Sequence, residues 1–137
     1  MFDTILGKTS SAQAISIVRL AVSVLLIIHG IARLKLGVVD DFGGFLTTVG
    51  FPLGNAIAWT ITMVEIIGGA ALALGKFRVP LSIYFALQLL TGIFLVHGSE
   101  GWFVVGAGRN GMEYSVLLII CLLSIAYHAK QESMASA

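Results

Sequence analysis

Four stretches of this chain, at about Ala14–Leu34, Gly54–Gly75, Val79–Gly98 and Met112–Ala129, are each long and apolar enough to cross a membrane. A hydrocarbon core is about 30 Å thick, and a helix rises about 1.5 Å per residue. Backbone groups in lipid have no water to bond, so runs of this length must be helical. Composition agrees: of 137 residues, 58% are hydrophobic and 11% charged, with a mean hydropathy of +0.99. A soluble domain of this size would leave too much of that surface in water. The expected fold is all-α, an integral membrane bundle of four antiparallel helices forming one transmembrane domain over residues 1–137. The first stretch reads as a retained span rather than a signal peptide. It is too long, Arg19 interrupts it, and no small-residue cleavage site follows.

The connections differ in kind. "KFRV" forces a tight hairpin between spans two and three, with Pro80 in the first turn of the third. Residues 35–53 mix Val, Phe and Leu with Asp40 and Asp41, which suits a segment lying at the interface. Residues 99–111 form a second outer loop within "GSEGWFVVGAGRNG". Its glycines allow unusual backbone conformations. They do not form a phosphate-binding loop, because no strand precedes them and no G-K-[ST] follows. Lys8, Lys76, Arg78 and Lys130 gather on one side of this topology. Lys35, Arg109 and the borderline Arg33 lie on the other, together with Asp40, Asp41 and Glu100. That bias puts both termini in the cytoplasm, in a multi-pass protein of the bacterial inner membrane. The net charge of +1 gives no reason to expect nucleic acid as a partner. The single Cys121 excludes an intramolecular disulfide and a dithiol centre, and reads as a buried small residue.

Two spans end in the same pair, His29–Gly30 in "LLIIHG" and His97–Gly98 in "IFLVHG". The other two carry one glutamate each, Glu65 and Glu113, followed by Lys76 and Lys130. One reading is a parallel repeat of two hairpins; chance similarity is its rival. The glycines are expected to end or bend helices, leaving both histidines at one outer level.

Glu65 lies about 15 Å from either end of its span, too deep to reach water by snorkelling. It must be protonated or meet a cation, and Arg19 or His29 are its expected partners. Two readings stay open: a buried Arg19–Glu65 pair that fixes helix register, or a working carboxylate that exchanges protons or binds a polar head group. Tyr84, Gln88 and Thr91 form a polar row facing the bundle, and in a regular helix His97 points away from it. The small residues Gly68, Gly69, Ala70, Ala71 and Ala73 suit close helix packing. The candidate ligand-binding residues are His29, Arg33, Glu65, His97, Arg109 and Glu113. His29, His97, Glu65 and Glu113 offer chemistry adequate for zinc or iron but lack tight ligand spacing, so no metal is expected.

The stretches "VRLAVSVLLIIHGIARL", "MVEIIGGAALALGKFRVPLSIYFAL", "FLVHGSEGWFV" and "GRNGMEYSVLLI" resemble, in order, the DoxX-like family of four-span bacterial membrane proteins. The resemblance covers most of residues 17–120. Its most specific element is Glu65 with Gly68–Gly69 and the Gly75-x-x-Arg78 turn. Arg33 stands where the family often has lysine, and the double glycine before the last glutamate survives only loosely as Gly108 and Gly111. The resemblance implies the four-span fold and a redox association, since the family is named through a subunit of a thiosulfate:quinone oxidoreductase. Without paired cysteines or a covalent cofactor motif, a redox role here would rest on a bound quinone or a catalytic partner protein. The expected function is thus a redox-associated accessory subunit with a quinone-like or other amphiphile site near the outer side. The alternatives are a homo-oligomeric transporter of a small molecule or proton, coupled through Glu65, and a structural assembly factor.

Overall fold

The computed structural model describes residues 10–136, and Lys8 of the basic cluster lies outside them. The described chain forms helices α1 (Ser11–Lys35), α2 (Val39–Thr48), α3 (Gly54–Ala73), α4 (Arg78–Gly92) and α5 (Glu113–Ala135), with a π-helical turn, Ile93–His97, extending α4. Four of them, counting α4 with its extension, are long and apolar enough to cross a membrane. The protein is a multi-pass, all-α membrane bundle. Large apolar side chains such as Ile67, Phe94 and Tyr127 are exposed around it, as lipid contact requires.

Local sequence sets each boundary. Ser10 caps α1 through a reciprocal capping box with Gln13. Asp40 and Asp41 occupy the first turn of α2, where carboxylates favour the helix dipole. At the end of α3, Gly75 takes a left-handed φ of +76°. It closes a 6→1 bond from Lys76 N–H to the Ala71 carbonyl, so the hairpin turn is as tight as "KFRV" requires.

The spans pair as two antiparallel hairpins, α1 with α3 and α4 with α5, joined mainly across α1 and α5. Val22, Leu26, Leu72, Phe85, Leu122 and Ile125 fill the core between them. Gly69 packs toward Ile27 of α1 and Gly68 toward Phe85 of α4, so these small residues do serve close packing. The interfacial segment is the helix α2, which lies against the start of α3. Val39, Leu46 and Ala58 form a second buried cluster there, and the Trp59 indole donates to Asp40.

Two expectations require correction. His29–Gly30 does not end or bend its helix: α1 runs unbroken to Lys35. Gly30 instead marks a close approach of α1 and α3. A Cβ there would lie 2.7 Å from Ile66 Cγ1 and 3.0 Å from the Thr62 carbonyl oxygen. Nor is Arg19 the partner of Glu65. Its guanidinium donates to the Leu72 carbonyl at 2.6 Å and to that of Ala73, completing the C-terminal end of α3. These are the last carbonyls of the helix, at the negative end of its dipole, where a partly buried cation is well placed; the Leu72 carbonyl also accepts from the Gly75 N–H.

Candidate ligand-binding site

The close approach at Gly30 brings the end of α1 over the middle of α3. There Arg33, not Arg19, meets Glu65. Arg33 Nη1 lies 3.0 Å from Glu65 Oε2 and Nη2 lies 3.4 Å from Oε1. Nη1 also donates to the Thr62 hydroxyl at 2.9 Å, whose own hydrogen goes to the Ala58 carbonyl. From α4, the Gln88 amide donates to Glu65 Oε1. The Phe42 ring of α2 lies 5.0 Å below the guanidinium carbon, a cation–π contact. The two charged side chains are only 15% and 4% exposed, so their pairing satisfies charges that lipid could not.

Above this cluster lies a cavity of about 460 Å³. Phe42, Phe45, Phe51, Ile57, Ile61 and Leu95 make its apolar wall, and Arg33, Glu65, Gln88, Tyr84, His29 and His97 its polar part. A second lobe of about 240 Å³ extends between α1, α4 and α5, past Asn110, Tyr114 and Ser115. His29, Glu65 and His97 line both lobes and so stand where they meet.

His97 reaches this position against expectation. In a regular helix the nine residues from Gln88 to His97 turn through about 900°, which leaves the two on opposite sides. The π-helical turn, closed by Gly98 N–H bonding to the Ile93 carbonyl five residues back at 2.7 Å, absorbs one residue. That removes about 100° of rotation and brings His97 to about a quarter turn from Gln88. Gly98 is required for it, because a Cβ there would lie 2.9 Å from the same carbonyl. His97 Nδ1 is then 2.8 Å from the Asn110 carbonyl oxygen, tying the ring to the last loop.

Four of the six candidate residues, His29, Arg33, Glu65 and His97, therefore come together. Arg109 does not: it is exposed on the glycine-rich loop and lines neither lobe. Glu113 does not either, since its carboxylate accepts from the Val104 backbone N–H at 2.8 Å and fastens that loop to α5. The two glutamates that look equivalent in the sequence thus do different work. Thr62 and Phe42 belong to the cluster and were not singled out by the sequence. The available signal for Thr62 was its place one turn before Glu65 on the same helix face. Among the described residues no three His, Cys, Asp or Glu side chains gather as a metal site.

Comparison with curated proteins and with solved structures gave no match. The family model for DoxX matches residues 14–98, which hold α1 to α4 and the whole Arg33–Glu65–Gln88 cluster, and the chain belongs to the DoxX family.

Proposed function

We propose that this protein is a redox-associated membrane subunit that holds a quinone-like amphiphile in the larger lobe. The observation that carries the reading is the cavity itself: about 460 Å³, within the range of small-molecule sites, with an aromatic wall beside a few convergent polar groups. An amphiphile with a flat ring and polar substituents matches that division, the ring against Phe42, Phe45 and Phe51 and the substituents toward Arg33, Gln88, His29 and His97. The same proposal includes the bacterial inner membrane, cytoplasmic termini and a homo-oligomer or a redox partner protein. The orientation gains support from Arg33, whose charge is spent inside the bundle and drops out of the outer-side count.

Gly92 offers a direct test. It lines the cavity, and a Cβ there would meet only His97 Cδ2, at 4.0 Å. Gly92→Leu should fill the lobe without touching the ion pair, and should not destabilise the helix, because leucine is the better helix former by about 0.5–1 kcal/mol. Native mass spectrometry of gently extracted protein is expected to show one lipid-soluble ring compound per wild-type chain and none on Gly92→Leu at unchanged melting temperature. Wild-type protein that carries nothing and binds no added short-tailed quinone or hydroquinone would reject the reading.

A further inference from the structure

We infer that the larger cavity takes its ligand sideways from the bilayer, through a mouth between α3 and α4 at mid-depth, and leaves the ligand's tail in the lipid. The ligand class is then a tailed, membrane-resident amphiphile rather than a compound delivered through water. This deepens the amphiphile reading and rests on it.

The mouth follows from how α3 and α4 part. The "KFRV" turn joins them tightly. About two turns of helix away from it they still touch, since a Cβ on Gly68 would lie 3.2 Å from Leu81 Cδ2 and 3.3 Å from Phe85 Cζ. Otherwise α4 packs mainly on α5, not on α3. Among the described residues the Gln88–Glu65 bond is the one hydrogen bond between α3 and α4. Past it the two helices face each other across the cavity, with Ile57 and Ile61 on one side and Thr91 and Leu95 on the other.

Leu87 marks the place where the cavity meets lipid. It lines the cavity and is 58% exposed. It stands nine residues after Arg78 and ten before His97, about 14 and 15 Å from the two ends of this span. Tyr84 and Thr91, one turn to either side on α4, also line the cavity and are exposed. A side chain exposed at that depth faces hydrocarbon, so this flank of the cavity opens into the bilayer. The outer end is roofed instead by α2, through Phe42 and the buried Leu46, and by Phe51 after it.

A lobe of about 460 Å³ holds a ring and its substituents, and a long apolar tail has to leave it. Leaving through the α3–α4 mouth keeps the tail in hydrocarbon. Leaving toward the outer surface, past the exposed Asn110 of the second lobe, would put it in water and weaken binding about fourfold for each methylene.

The test uses the intact protein in nanodiscs and alkylbenzoquinones that share one ring and differ in tail length. With quinone counted per lipid, affinity is expected to stay the same as the tail lengthens. The same quinone with a photoreactive diazirine in its tail should, on illumination, label Ile61, Tyr84, Leu87 or Thr91. Excess unlabelled quinone should suppress that labelling, which separates the site from ordinary lipid contact. Affinity that falls about fourfold per methylene would place the tail in water and overturn the inference. Suppressible labelling on residues 104–114, or none on α3 and α4, would overturn it as well. Each of those results leaves the amphiphile site standing. If no quinone binds, the amphiphile reading falls and this inference with it.

Discussion

Replacing Glu65 with alanine is expected to cost about 3–5 kcal/mol of stability, the range for removing one partner of a buried ion pair. The loss does not measure what the pair contributes. It measures an Arg33 guanidinium, 15% exposed, left without a counter-charge beside Thr62 and Phe42. Arg33→Ala should cost a similar amount from the other side, leaving a 4% exposed carboxylate with only the Gln88 amide. Glu65→Gln should lie between wild type and Glu65→Ala, because the amide keeps shape and an acceptor but not the charge. The double variant Glu65→Leu with Arg33→Met should recover much of the loss, since apolar residues of similar volume often replace a buried pair without penalty. It should still fail to bind the head group. Arg19→Ala serves as the comparison. It removes a cap on the Leu72 and Ala73 carbonyls rather than a counter-charge, so a smaller cost of about 1–2 kcal/mol is expected. Thermal melts of the five variants and wild type in one detergent make the comparison. Glu65→Ala melting with wild type would show that the pair carries no weight.

The identity of Glu65's partner shows where sequence reading stops. Depth alone makes Glu65 a residue that needs a cation, and that much is visible in the apolar run around it. Which cation it meets depends on the antiparallel register of α1 against α3, and hydropathy does not encode register. The contact at Gly30 sets it. Glu65 lies opposite Gly30, three residues or about 4.5 Å from Arg33 along α1, and eleven residues or about 16 Å from Arg19. Gly30 was visible in the sequence but reads equally well as a helix stop, and only the packing partner separates the two meanings. His97 is a similar case. A 3.6-residue period puts it on the wrong face, and the extra residue of a π-helical turn has no signature in an apolar run. By contrast, the four helices long and apolar enough to cross a membrane are legible in the sequence. Length and hydropathy fix a helix in lipid without any tertiary information.

The second large effect is expected at Gly43, where α2 docks on α3. A methyl group there would lie 2.6 Å from Asn55 Cα, a backbone atom that cannot swing aside. The reverse contact is as close: a Cβ on Gly54 would lie 2.8 Å from the Thr47 backbone nitrogen. Gly43→Ala must therefore lift α2, at a cost of about 1–3 kcal/mol or more. The functional consequence should exceed that cost. The same short helix carries Phe42, which covers Arg33, and Phe45 and Leu46, which wall the cavity. Hydroquinone or quinone affinity should fall more than tenfold, while the four spans, whose contacts with one another do not involve α2, stay assembled. Trp59 reports the docking directly, because its indole is hydrogen-bonded to Asp40 across the α2–α3 contact at 3.0 Å. In a Trp102→Phe background it is the one remaining indole of the two in the chain, and Gly43→Ala should change its emission. The neighbouring glycine provides the control. A Cβ on Gly44 would meet nothing within 4 Å, so Gly44→Ala should leave both emission and affinity unchanged and add up to about 1 kcal/mol of helix stability. If Gly43→Ala behaves like Gly44→Ala, α2 does not hold the cavity wall through this contact, and the tight fit at Gly43 has no bearing on binding.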